Sequence, residues 1–305
     1  MEIHKLVIGQ ESVMDQLIIG MLAGGHVLIE GLPGLAKTLM IKSLAKAVSL
    51  DFNRIQFTPD LMPTDILGTE MVEQDSEGHK SFKYIKGPVF TNILLADEIN
   101  RTPPKTQAAL LEVMQEYKVT FGGSDHLLDK PFFMLATQNP IEQSGTFSLP
   151  EAQIDRFLLH VLIGYPTEQE EEEILKITTG KSTEMTQAVL SGIEIIRLQE
   201  LTREVFISDD LIKKVSSLVR STRPEFSQNQ MVKDYVDYGA GPRAGQALIM
   251  TAKAHALMNG RFSVTPEDLK VVLKPCLRHR ILLNFRAESE KVTTDAIIEH
   301  LYKDF

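Results

Sequence analysis

The chain has 305 residues, 43% of them hydrophobic, enough for one large domain or two ordinary ones with real cores. No apolar run reaches the roughly 18 residues of a membrane helix, and Met1-Glu2-Ile3-His4-Lys5 lacks the apolar stretch of a secretion signal. A single cysteine, Cys276, excludes an intrachain disulfide and points with the missing signal to the cytoplasm, and a net charge of −9 (32 basic against 41 acidic residues) argues against nucleic acid as the primary partner.

Residues 9–23 read as a helix leading into an apolar strand at 26–30. Next comes Gly31-Leu32-Pro33-Gly34-Leu35-Ala36-Lys37-Thr38, followed by a helical stretch over 39–48. Strand, glycine-bearing loop and helix start together make a phosphate cradle, because the loop N–H groups and the helix dipole favour an anion at one spot. Lys37 adds charge for the β- and γ-phosphates, and Thr38 a hydroxyl able to hold Mg²⁺. The generic pattern has glycine directly before the lysine, where this chain has Ala36.

Further buried strands are expected at 53–57, 92–97, 131–137 and 157–163, with helical material between them, so the five strands predict a parallel sheet covered on both faces. The third of the five ends in Asp97-Glu98. A buried strand there carries Asp97 to the metal's outer shell and leaves Glu98 beside the γ-phosphate, where a carboxylate can polarise a water. Phosphate loop and acid pair together read as an ATP site with hydrolytic machinery. Two polar hairpins interrupt the rhythm: 69–86, turning at Asp75-Ser76-Glu77-Gly78, and 119–128, turning at Gly122-Gly123-Ser124-Asp125. In the first, Phe82, Tyr84 and Ile85 have two roles open to them, gripping a client or packing on the domain.

Tyr165-Pro166-Thr167 marks a boundary, with Thr167 as an N-cap and Glu168 to Glu173 supplying the negative charge a helix start favours. Helices are expected over 167–179, 193–203, 208–222, 242–258, 265–274, 277–284 and 293–303, with cap signals at Ser208, Thr265 and Thr293. The predicted organisation is an α/β nucleotide-binding domain over 1–164 and a smaller all-α domain over 165–305.

These elements together resemble an AAA+ ATPase, and their wording resembles the MoxR family across nearly the whole chain. The residues that carry the likeness are the 31–38 loop with its Ala36, Phe57-Thr58-Pro59-Asp60-Leu61-Met62-Pro63, Leu95 to Arg101, Ala136-Thr137-Gln138-Asn139-Pro140 and Leu149 to Phe157. The resemblance implies that Gly31, Pro33, Gly34, Leu35, Ala36, Lys37 and Thr38 bind ATP, with Thr38 and Asp97 toward Mg²⁺. It puts Gly9 and Gln10, with Val7 and Ile8, beside the adenine. Glu98 orients water, and Asn139 senses the γ-phosphate, an amide suiting this because it donates and accepts at once. Arg156 corresponds to an arginine finger that reaches the neighbouring subunit's site, where its planar fork suits phosphoryl charge. Arg243, after Pro242 at a helix start, corresponds to the sensor on the all-α lid. The hairpins correspond to elements that face the pore or a partner. The implied protein is a hexameric, Mg²⁺-dependent ATPase ring with a chaperone-like role in remodelling or maturing client proteins, often alongside a von Willebrand factor A-domain protein. Two other readings stand beside it: a nucleotide-gated assembly scaffold with little turnover, and a nucleic-acid motor, which the acidic balance and the lack of an added DNA module disfavour.

Overall fold

The computed structural model describes residues 9–74, 79–141, 145–179 and 187–303. Its strands run in chain order as β1 (Val27–Gly31), β2 (Phe52–Gln56), β3 (Gly68–Gln74), β4 (Lys80–Lys86), β5 (Ile93–Asp97), β6 (Lys118–Phe121), β7 (Ser124–Leu127), β8 (Phe133–Gln138), β9 (Leu159–Ile163), β10 (Val236–Tyr238) and β11 (Leu282–Leu283). The helices are α1 (Glu11–Leu22), α2 (Lys37–Ala47), α3 (Pro63–Leu67), α4 (Pro104–Glu116), α5 (Glu151–Ile154), α6 (Glu168–Thr179), α7 (Gly192–Glu204), α8 (Asp209–Ser221), α9 (Gln230–Tyr235), α10 (Pro242–Met258), α11 (Pro266–Leu277), α12 (Phe285–Ser289) and α13 (Thr294–Lys303).

The five expected strands form one parallel sheet in the order β2-β5-β8-β1-β9. β2 pairs with β5 from Phe52↔Ile93 to Gln56↔Asp97, and β5 with β8 from Ile93↔Phe133 to Ala96↔Ala136. Covered on both faces, β5 and β8 are continuous apolar runs, with Ile93, Leu94, Leu95, Met134 and Leu135 fully buried. The edge strand β2 reads differently: in Phe-Asn-Arg-Ile-Gln only Ile55 is buried. At the end of β1, Gly31 answers a close approach, since a Cβ there would stand 2.9 Å from the Cβ of Ile163.

Both hairpins form. β3 and β4 pair in unbroken register from Gly68↔Lys86 to Gln74↔Lys80, and their expected turn at 75–78 lies outside the described residues. The β6–β7 turn is tighter than expected. Gly122 and Gly123 make it alone, both with positive φ, while Ser124 and Asp125 already belong to β7. Asp125 is drawn into the ladder by hydrogen bonds from Lys118 Nζ at 2.6 Å and Thr120 Oγ1 at 2.7 Å. The two hairpin aromatics differ in their surroundings. Tyr84 stacks on Phe121 and His126 and donates its hydroxyl to Leu67 O, so it packs. Phe82 stands 74% exposed at the far end of β4.

The described residues fall into two compact units. One takes those within 1–11, 29–149 and 163–195; the other takes those within 12–28, 150–162 and 196–305. In the first, Thr167 caps α6 as expected: Glu170 N–H meets its hydroxyl at 3.4 Å, and Glu170 Oε2 accepts from Thr167 N–H at 2.7 Å. In the second, the cap signals hold as well. Ser208 Oγ accepts from Leu211 N–H, Thr265 forms a capping box with Asp268, and Thr293 Oγ1 accepts from Ala296 N–H. α8 buries Leu211, Val215, Leu218 and Val219, a stripe at helical spacing that packs on α10. Cys276 is buried as a small hydrophobe, its thiol pushed up to about 11 by burial.

The expected helix over 277–284 is not there. α11 runs through Pro275 to Leu277, and Leu282-Leu283 then pair as β11 with β10. In place of that helix, two arginine side chains donate to backbone carbonyls. Arg280, its side chain 3% exposed, donates to Asp155 Oδ1 at 2.8 Å, Asp155 O at 3.1 Å, Phe157 O at 2.6 Å, Leu158 O at 3.3 Å and Cys276 O. Arg278 donates to His160 O at 3.0 Å. A guanidinium thus saturated supplies the partners that an irregular segment, 155–158, lacks from secondary structure. Arg280→Ala should therefore destabilise the protein by about 3 kcal/mol or more, the scale for removing one member of a buried ionic network. Urea unfolding measures it, and a loss below about 1 kcal/mol, the range of a surface pair, would contradict this account.

Candidate nucleotide site

Within the first unit, a pocket of about 360 Å³ is lined by Pro33, Gly34, Leu35, Ala36, Lys37, Thr38, Leu39, Arg54, Asp97, Glu98 and Asn139. The loop that builds one wall turns on two residues with positive φ, Gly34 at 83° and Ala36 at 54°. Ala36 takes the left-handed conformation that glycine takes at no steric cost, and α2 begins directly after it at Lys37. The first N–H groups of α2 have no partners inside the helix and belong to the stretch lining this pocket. Lys37 Nζ donates to Gly31 O at 2.7 Å, back across the loop. Burial pulls its ammonium below the ordinary lysine pKa, and the charges of Asp97 and Glu98 pull it back up.

The opposite wall is an acid pair fixed by neighbouring strands. Asp97 ends β5, 8% exposed, and accepts from Thr137 Oγ1 on β8 through Oδ1 at 2.6 Å. The same Thr137 hydroxyl accepts from Glu98 N–H at 2.8 Å, so one side chain ties the Asp97 carboxylate to the Glu98 backbone. Glu98 has left-handed backbone (φ 59°), which turns the chain out of the sheet just after Asp97. Its Oε2 accepts from Gln56 Nε2 at 2.6 Å and pairs with Arg101 Nε at 3.2 Å. Asn139, one residue past β8 and 5% exposed, accepts from Ile141 N–H through Oδ1, which leaves its Nδ2 amide for a ligand.

The structure thus brings Pro33, Gly34, Leu35, Ala36, Lys37, Thr38, Asp97, Glu98 and Asn139 around one pocket, with Gly31 O under the lysine. Gly9 and Gln10 lie in the same unit but not among the lining residues. Gln10 Nε2 donates to Gly164 O at 3.2 Å, and Gly9, with φ 75°, sits against Glu170. Val7 and Ile8 lie outside the described residues. Arg156 and Arg243 belong to the second unit. There Arg243 is the second residue of α10, after Pro242 as expected, and its Nη1 pairs with Asp155 at 3.3 Å. Arg156 follows Asp155 in the segment that Arg280 holds.

Three residues escaped the sequence reading. Arg54 donates to Asp97 Oδ2 through Nε at 2.9 Å and Nη2 at 2.6 Å. Gln56 bridges Arg54 to Glu98, and Thr137 ties the Asp97 carboxylate to the Glu98 backbone. The available signal was a polar residue out of place: Thr137 follows the apolar run of β8, and Arg54 and Gln56 alternate with Ile55 on β2.

A phosphate loop facing a strand-end acid pair across one pocket, on a parallel sheet, defines a P-loop ATPase. A family model for the ATPase family associated with various cellular activities (AAA) matches residues 26–159, and one for an AAA lid domain matches residues 228–301. Chaperone MoxR1 of Mycobacterium tuberculosis is 43% identical over 98% of this chain and 79% of its own length. Protein MoxR of Paracoccus denitrificans is 28% identical over 92% of this chain and 87% of its own. A solved structure from Cytophaga hutchinsonii superposes with a TM-score of 0.91 at 44% identity, covering 100% of this chain and 92% of that one. The chain belongs to the MoxR family of AAA+ ATPases. It binds nucleotide and hydrolyses ATP as that family does.

Proposed function

We propose that this chain is the subunit of a ring, a hexamer, that couples Mg²⁺-dependent ATP hydrolysis in the cytoplasm to remodelling or maturation of client proteins. The single observation that carries the reading is the convergence of Lys37, Thr38, Asp97, Glu98 and Asn139 on one pocket. In it Lys37 and the loop N–H groups, with Gly31 at their base, hold the phosphates, and Glu98 takes the proton of the attacking water. Asn139 Nδ2 donates to the γ-phosphate. The Thr38 hydroxyl and the Asp97 carboxylate are hard oxygen donors suited to Mg²⁺, which usually takes one or two protein oxygens beside phosphates and water. When bound, Mg²⁺ supplies charge neutralisation across the phosphates. Gly9 and Gln10 serve the adenine end. Arg156 completes the neighbouring subunit's site, and Arg243 passes the nucleotide state to the lid (165–305) from the nucleotide domain (1–164). No helix among the described residues is long and apolar enough to cross a membrane. The chaperone reading rests on the name of the M. tuberculosis relative, and an A-domain protein is the proposed companion. The exposed Phe82 on the β3–β4 hairpin fits contact with a client.

Lys37→Ala tests the pocket. It removes the one ammonium that meets phosphate there, so Mg-ATP affinity should fall by about tenfold to a hundredfold, the loss of one charge-assisted contact. The thermal midpoint should stay close to the parent's. Calorimetric titration reads the affinity, and a value near the parent's would remove Lys37 from the phosphate site.

A further inference from the structure

Asp97 already holds a cation, and it belongs to the chain. Oδ1 of the carboxylate takes the Thr137 hydroxyl, so Oδ2 is the oxygen left to a positive ligand. Both Nε and Nη2 of Arg54 converge on that Oδ2, at 2.9 and 2.6 Å. The register explains the reach. Gln56, not Arg54, stands opposite Asp97, so the Arg54 side chain runs along the strand direction to meet it. The Asp97 side chain is 11% exposed, whereas that of Arg54 is 45% exposed on the edge strand of the sheet. The guanidinium can therefore leave without opening a buried hole, and the carboxylate cannot. Arg54 also lines the pocket shared by Lys37 and Thr38, so it faces whatever occupies that space. A guanidinium and a divalent cation brought to one carboxylate oxygen repel each other, so each weakens the other's hold on it.

We propose that Arg54 is a built-in counter-cation that holds Asp97 Oδ2 until a hydrated divalent metal ion takes it, so that metal and guanidinium exchange at one oxygen. The inference rests on reading this pocket as the Mg-nucleotide site. With Arg54 in place, a polyphosphate arriving without metal meets a neutralised Asp97 rather than a bare carboxylate. Arg54 is thus a positioning residue for Asp97 that sets how strongly nucleotide binding depends on metal. A plain brace between β2 and β5 would do neither; it would act on stability alone.

The test uses the full chain and ADP as the probe, with Kd measured in EDTA and in saturating Mg²⁺. In Arg54→Gln, Asp97 is left uncovered. Metal-free binding should weaken by about tenfold or more, while binding with Mg²⁺ holds or tightens, so the ratio of the two Kd values rises about tenfold over the parent's, the scale of one charge-assisted contact. Arg54→Lys keeps the charge but loses the paired donors, and its ratio should rise by a smaller factor, about threefold. A second readout needs no nucleotide: Mg²⁺ alone should raise the melting temperature of Arg54→Gln at lower concentration than that of the parent. If the Gln variant does not fold, the Lys variant decides. A ratio within twofold of the parent's, in a variant that binds ADP, overturns the exchange and leaves Arg54 a strand brace. A parent that binds ADP in neither condition overturns the nucleotide reading of the pocket itself.

Discussion

Glu98→Gln should bind Mg-ATP with near-parental affinity and turn it over about 10² times more slowly or worse, the usual scale for losing a general base. The substitution is close to isosteric, and the backbone that aims the side chain is held elsewhere, by the bond from Glu98 N–H to Thr137. Gln56 still finds a side-chain oxygen to donate to. The pairing with Arg101 is lost, which as a partly exposed interaction costs little. What disappears is the negative charge that polarises water. The kinetic signature is therefore a fall in kcat with KM nearly unchanged, as for a contact used only in the transition state. A phosphate-release assay with a parallel binding titration separates the two quantities. Turnover at the parental rate would take Glu98 out of the chemistry and leave it a strand-end residue held by Gln56.

The parts of this site that could be read from the chain are those whose chemistry is local. The 31–38 loop and Asp97-Glu98 declare themselves because strand, turn and functional group are contiguous in sequence. Arg54 and Gln56 do not, because their role depends on β2 lying beside β5 in a stated register, and nothing within 52–56 says which strand is its neighbour. Thr137 is similar: a lone hydroxyl in β8 gains meaning only from Asp97 and Glu98 on the adjoining strand. The lid shows the opposite failure. Caps at Ser208, Thr265 and Thr293 were legible because capping is a contact over three residues, whereas the stretch holding Arg278, His279 and Arg280 was expected as a helix over 277–284. Periodicity assigns polar side chains to solvent, yet His279 and Arg280 are buried, 8% and 7% exposed, and serve carbonyls more than 100 positions away. Long-range payment of backbone hydrogen bonds leaves no periodic trace.

Arg156→Ala should bind ATP and lose about 10³-fold or more of its turnover, since arginines supplied to a phosphoryl site are worth about 10³–10⁵ in rate. Arg156 lies in the segment 155–158, whose carbonyls Arg280 gathers, and its Nε is buried with no acceptor among the described residues. Such an arrangement fixes the root of the side chain without consuming it. If Arg156 acts on the neighbouring subunit, two inactive proteins should rescue each other. An Arg156→Ala subunit has an intact pocket and no finger; a Lys37→Ala subunit, assayed at ATP concentrations too low to fill its weakened pocket, has a good finger and an empty pocket. Mixed rings contain interfaces at which the intact pocket meets the good finger, so activity should reappear and pass through a maximum as the ratio of the two is varied. The height of that maximum also reports cooperativity: a ring whose sites fire independently recovers in proportion to complete interfaces, whereas one that needs several at once recovers far less. Subunit exchange, followed by fluorescence transfer between labelled variants, must accompany the assay. Exchange without recovery at any ratio would mean that Arg156 does not complete a neighbour's site, and full activity of Arg156→Ala alone would return the residue to a structural role beside Asp155.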